Sequence, residues 1–196
     1  MLLKRRTSCA GFSIIELAVA LTIACVLLAL GAPAVSGYLQ NARLGALAQS
    51  IYGGLQTART EAVKDNQCVE FVLTNSALDA TTYATIVPAA NGRNWWVRTL
   101  TLPACAVPAS GVESKSTNVS DLGGVTVAAS SPSFIFNGLG AASAAGSTGI
   151  ALTNLALGLC APGGPVRCWN VVVAPGGQIR LCSPDTSLPA GDSRAC

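Results

Sequence analysis

Hydrophobic and polar positions change their rhythm twice along this chain. Residues 12–32 are almost continuously apolar, and the only ionisable groups among these 21 positions are Glu16 and the Cys25 thiol. A helix of that length spans about 30 Å, the thickness of a bilayer's hydrocarbon layer. Leu44, Leu47, Ile51, Leu55, Ala58 and Ala62 then recur at spacings of three and four, which is one apolar stripe on a continuing helix. Pro33, flanked by Gly31 and Gly37, is expected to bend or loosen that helix without ending it. One long helix over residues 12–66 is therefore predicted, lipid-embedded in 12–32 and packed on a globular domain in 33–66.

After Cys68 the rhythm becomes short β-rich runs separated by Gly, Pro, Ser and Asn, the residues that punctuate turns. Strands are predicted at 68–74, 83–87, 95–100, 125–129, 133–137, 150–155, 169–174 and 178–182, the last two joined as a hairpin through Pro175-Gly176-Gly177. The expected fold class is α+β, a long helix laid across an antiparallel sheet domain of residues 67–196. Residues 110–120 and 138–148 lack periodicity and read as exposed loops. Trp95 and Trp96 are neighbours on a strand and must face opposite ways, so one is expected in the core and the other at the surface or in an interface. Trp169 reads as core packing beside Cys168.

Charge changes the picture at one end only. Lys4, Arg5 and Arg6 account for three of the twelve basic residues, leaving nine basic against nine acidic in the rest of the chain. The basic tip next to an apolar span orients the chain with its N-terminus in the cytoplasm and its bulk across the membrane. The near-neutral remainder argues against a broad nucleic-acid footprint. Histidine is absent, which removes Ser-His-Asp, Cys-His and His-ligated zinc chemistry. With no phosphate-cradling glycine loop and no clustered carboxylates either, the sequence predicts a protein that is not an enzyme and needs no cofactor.

Six of the eight cysteines (Cys68, Cys105, Cys160, Cys168, Cys182 and Cys196) fall in the exported part, where an even number reads as a disulfide framework. No C-x2-C pair exists among them, so a metal site is not expected. Of the fifteen possible pairings, Cys182 with Cys196 is favoured because it closes a short loop, a link worth about 3 kcal/mol in the chain-entropy model. Cys160 with Cys168 and Cys68 with Cys105 follow by elimination. Cys9 falls in the basic N-terminal tip, and Cys25 is expected to stay a membrane thiol.

Glu16 argues against a plain signal peptide or anchor. A carboxylate in an apolar run costs about 2–3 kcal/mol on insertion scales, and a segment needing hydrophobicity alone has no use for it. Taken together, Gly11-Phe12-Ser13-Ile14-Ile15-Glu16-Leu17 closely resembles the processing site of type IV prepilins. That resemblance implies that residues 1–11 are a leader removed by the prepilin peptidase after Gly11, and that the new N-terminus, Phe12, is methylated. It also implies that Glu16 pairs with the terminal amine of a neighbouring subunit during assembly, setting register more than adding stability. Pro33 lies where that family carries its helix-kinking proline.

The exported part resembles the FimT/FimU minor pilins and the related GspH pseudopilins. Leu55-Gln56-Thr57-Ala58-Arg59-Thr60-Glu61-Ala62-Val63-Lys64 is similar to their helix signature, and Phe136-Asn137-Gly138-Leu139-Gly140 to a strand and turn. Gly177-Gln178-Ile179-Arg180-Leu181-Cys182 resembles their final strand, and the tail from Pro189 to Cys196 a cysteine-closed end. The resemblance implies a type IV pilin-like fold and a non-catalytic minor pilin acting in pilus initiation or at the tip. Its partners would be other minor and major pilins, the prepilin peptidase and the inner-membrane assembly platform. The protein would sit in the inner membrane with a periplasmic globular domain and become surface-exposed in the pilus. Two alternatives stay open. One is a type II secretion pseudopilin. The other is a minor pilin binding double-stranded DNA for uptake, because some FimT proteins use a Gly-Arg-x-Arg motif that reads Gly177-Gln178-Ile179-Arg180 here. One arginine of that motif is replaced, leaving Arg180, with Arg167 and Arg194, as the candidate cations.

Overall fold

The computed structural model describes residues 13–76, 85–107, 113–117, 124–143, 148–154, 167–189 and 191–196. It divides into two units, Met1–Tyr38 and Leu39–Cys196, and helix α1 (Ile14–Asp65) contributes to both. In the first unit α1 carries the stretch Ile14–Gly31, which is long and apolar enough to cross a membrane and whose side chains are exposed. The helix runs through residue 33 without interruption.

In the second unit, the stripe read from the sequence is the buried face of α1: Leu44, Leu47, Ile51, Leu55, Ala58 and Ala62, with Ala48 beside them, are all inaccessible. The helix ends at Asp65 because Asn66 takes a left-handed conformation (φ 49°). The Gln67 N–H then donates to the Ala62 carbonyl at 3.1 Å, the six-residue closure of a Schellman cap.

Two antiparallel four-stranded sheets receive that face. The first has the order β3-β2-β1-β5, from β1 (Cys68–Thr74), β2 (Asn94–Leu100), β3 (Glu113–Thr117) and β5 (Ser133–Phe136). The second has the order β4-β6-β7-β8, from β4 (Val125–Ala129), β6 (Thr148–Asn154), β7 (Trp169–Val173) and β8 (Ile179–Cys182). One apolar cluster joins the helix stripe to Val69, Phe71 and Leu73 of the first sheet and to Ile150, Leu152, Val171 and Val173 of the second. Alternation along each strand places these residues on one face. Trp95 stacks on Phe71 with ring centroids 5.6 Å apart, and its indole N–H reaches Ser50 Oγ on α1 at 3.0 Å.

Four sequence expectations need correction. Trp96 is not at the surface: it is fully buried with Val72 and Ile86 on the opposite face of the first sheet from Trp95. Every residue of β1 is buried, so this sheet is covered on both sides, which a strand's alternation alone does not reveal. Among the described residues of 83–87 there is no strand. That segment is instead held to the end of β1 by the Thr74 hydroxyl donating to the Val87 carbonyl at 2.9 Å. Third, the polar stretch 110–120, expected as a loop, contains edge strand β3, paired with β2; edge strands favour polar and charged residues. Finally, the stretch 138–148 is not uniformly loose. The Asn137 side chain accepts hydrogen bonds from the Leu139 and Ala141 N–H groups, each at 3.0 Å, and Thr148 already belongs to β6.

Disulfides join Cys68 to Cys105 and Cys182 to Cys196. Cys168 is also disulfide-bonded; Cys160, its expected partner, lies outside the described residues, as does Cys9. Cys25 is a free thiol on the outside of α1.

Candidate functional site

The candidate assembly site lies at the start of α1. Glu16 occupies the first turn, where the Leu17 N–H donates to the Ser13 carbonyl at 3.1 Å and the helix dipole favours a negative charge. Its carboxylate is exposed on an otherwise apolar helix surface and forms no ion pair among the described residues. Gly11 and Phe12, the cleavage and methylation positions expected from the sequence, lie outside the described residues.

A second site is built from the three internal segments singled out in the sequence, which the fold brings to one point near the end of α1. Gly140 (φ 75°) and Gly177 (φ 76°) both adopt left-handed conformations that other residues enter at a cost. A β-carbon on Gly140 would come within 3.0 Å of Val63 Cγ2 and 3.2 Å of Arg59 Nε. One on Gly177 would overlap the Gly140 carbonyl oxygen and lie 3.2 Å from the same Arg59 Nε. The Ala142 N–H donates to the Pro175 carbonyl at 3.0 Å, tying the 137–141 turn to the β7–β8 hairpin. The helix signature, the strand-turn signature and the final-strand signature are therefore three walls of one junction, with the half-buried Arg59 between them.

The three candidate cations do not form one cluster. Arg180 is exposed on β8 and donates from Nη2 to the Ala195 carbonyl at 3.4 Å. This places it against the C-terminal tail, which returns as a parallel bridge between Ser183 and Ala195. Arg194 lies on the same tail but is engaged by Asp192, with Nη2 to Oδ2 at 2.7 Å and Nε to Oδ1 at 3.0 Å. Those hydrogen bonds, with a further one from the Arg194 backbone N–H, hold the half-buried Asp192 carboxyl at about 2, below its usual 3.8. Arg167 is elsewhere: Arg180 pairs with Val172, five positions along from Arg167, or roughly 17 Å at strand rise. The Arg167 N–H is bonded to Asn41 Oδ1 of α1 at 3.1 Å.

The sequence reading missed the buried pair Glu70–Arg98, with Oε2 and Nε 2.6 Å apart and both side chains almost inaccessible. The signal was present: one acid in β1 and one base in β2, each the lone charge in an apolar strand, directly opposite in register. Among the described residues no group of histidine, cysteine or carboxylate side chains could hold a metal ion.

Comparison with known proteins fits this geometry. The family model "Type II transport protein GspH" matches residues 47–177, well over half of the chain, and the model "Prokaryotic N-terminal methylation motif" matches residues 6–32. The fold is similar to that of the type IV minor pilin FimU of Pseudomonas aeruginosa (strain PAO1) in its P21 crystal form. The TM-score is 0.51 at 13% identity, over 77% of this chain and 99% of that one. The P65 crystal form of the same FimU gives a TM-score of 0.45 at 14% identity, over 74% and 99%. No curated protein sequence matches the chain.

Proposed function

As a member of the GspH family carrying a prokaryotic N-terminal methylation motif, the chain is a non-catalytic minor pilin or pseudopilin, and we propose that it serves a type IV pilus as an initiation or tip subunit. The observation that carries this reading is Glu16, a carboxylate with no ion-pair partner among the described residues, in the first turn of a membrane-length apolar helix. A charge in lipid is costly unless it is paired. Cleavage after Gly11 creates an ammonium on Phe12, and a neighbouring subunit's ammonium meets Glu16 only when the two helices dock in register. Until assembly, the protein waits in the inner membrane with its N-terminus cytoplasmic and its globular domain periplasmic. Cleavage and methylation by the prepilin peptidase come first, followed by docking with other pilins at the assembly platform.

The family's description as a type II transport protein favours a second reading, that of a secretion pseudopilin. Receptor function for double-stranded DNA has less support, because Asp192 neutralises Arg194 and Arg167 stands apart from Arg180. Deleting the gene separates the first two readings: pilus membership predicts fewer surface pili with enzyme export intact, and a secretion role predicts the reverse. Glu16→Ala should leave the protein processed and membrane-inserted but absent from sheared pili. Normal entry of that variant into filaments would refute the pairing role.

A further inference from the structure

Among the described residues, Arg59 is a cation held in place without a counter-charge. It is half-buried between α1, the 137–141 turn and the β7–β8 hairpin, and it forms no hydrogen bond or ion pair among the described residues. Lys64, nearby on α1, is by contrast paired with Glu61 at 3.3 Å and Asp65 at 3.8 Å, and Arg194 with Asp192. The side chains at the edge of this junction are aliphatic and exposed. Val63 Cγ2 packs on Gly140, Val63 is 51% exposed, and Leu139, next to Gly140 at the tip of its turn, is 88% exposed. A guanidinium that has already lost part of its hydration, packed on a turn that also carries the exposed Leu139 and meets the exposed Val63, has the composition of the core of a protein interface, where arginine anchors are enriched. Nucleic acid would call for several free cations along a track, whereas here the neighbouring lysine is already neutralised.

We propose that Arg59, with Val63 and Leu139, is a docking point for a carboxylate of a neighbouring pilin subunit. This rests on the reading of the chain as a filament subunit and names one of its lateral contacts. Glycines 140 and 177 create the slot: any β-carbon there would press on the guanidinium, so they leave Arg59 room to present its fork to a partner. The planar guanidinium can take a carboxylate through two parallel hydrogen bonds, which a lysine cannot reproduce. The contact would therefore select a subunit that offers an acidic side chain at the matching height.

The test uses the full-length protein in pilus-producing cells, comparing the membrane pool with the sheared-filament fraction for wild type, Arg59→Gln, Arg59→Lys and Arg59→Glu. Arg59→Gln should form its disulfides and resist protease as wild type does, yet fall at least about tenfold in filaments, the scale expected when one partner of a desolvated charge pair is truncated. Arg59→Lys should be intermediate and Arg59→Glu absent. Second-site suppressors of Arg59→Glu should be acid-to-base changes in another subunit. Wild-type entry of Arg59→Gln and Arg59→Glu would overturn the proposal while leaving filament membership intact. Equal misfolding of Arg59→Gln and Arg59→Lys would also overturn it, showing a structural role. Absence of the wild-type protein from filaments would overturn both this contact and the membership on which it rests.

Discussion

Gly177 lies so close to the Gly140 carbonyl oxygen that the hairpin and the turn can meet only if residue 177 has no side chain. With φ at 76°, the position also disfavours any L-residue on backbone grounds. Gly177→Ala is therefore expected to destabilise the protein by at least about 2 kcal/mol, combining overpacking with a conformation alanine resists. Gly176→Ala is the internal control: nothing lies within 4 Å of its would-be β-carbon, so its change should stay within about 0.5 kcal/mol. Thermal unfolding of the detergent-solubilised protein compares the two, and equal midpoints would contradict the packing argument.

The Glu70–Arg98 pair yields a prediction about partnership rather than charge. Removing one member takes from a buried ion its partner at 2.6 Å: Glu70→Ala or Arg98→Ala should each cost about 3–5 kcal/mol. Replacing both with apolar residues of similar volume, as in Glu70→Leu with Arg98→Met, should recover most of that loss. Denaturant midpoints of the two single variants and the double variant check this. Additive losses would show that the pair is not a coupled unit.

Removing the Cys182–Cys196 link, whose cysteines are 14 positions apart, should cost about 3 kcal/mol through freedom regained by the unfolded chain. Cys182→Ser with Cys196→Ser should also release the tail that accepts the Arg180 hydrogen bond. Hydrogen exchange of the Ser183 and Cys196 N–H groups, bonded in the folded chain to the Arg194 and Ser183 carbonyls, reports the release. Unchanged protection would contradict it.

Asp192 supplies a pH prediction. Its carboxyl sits at about 2 because Arg194 hydrogen-bonds the charged form. A depressed carboxyl adds stability above its unfolded value, and that contribution fades as pH falls from about 4 towards 2. NMR titration should therefore show Asp192 ionising well below the ordinary range in wild type and within it in Arg194→Ala. An identical midpoint in both would refute the pairing; because the Arg194 side of the pair is largely exposed, the effect on global stability should be small.

The sequence made legible whatever follows a single period. The stripe from Leu44 to Ala62 could be read because a helix with one buried side repeats its apolar positions every three or four residues. The start of β1 and the Pro175-Gly176-Gly177 hairpin were legible for comparable local reasons. What escaped depends on neighbours distant in sequence. Trp96 is buried because the back of its sheet is covered, and β3 is a strand because β2 offers it an edge; neither fact is written in residues 95–96 or 113–117. The junction around Arg59 was visible only as three separate short motifs. Their meeting is a property of two sheets and a helix closing on one core.

The central claim is that the chain becomes a filament subunit once trimming at Gly11 gives Phe12 a charged end that can meet Glu16 of a neighbour. Mass spectrometry of the N-terminal peptide of protein recovered from sheared pili tests it most directly. The account predicts a chain that begins at a methylated Phe12 and retains the whole apolar segment. A filament-bound chain that still begins at Met1, or a protein found only in the medium and cut beyond Ala34, would contradict it.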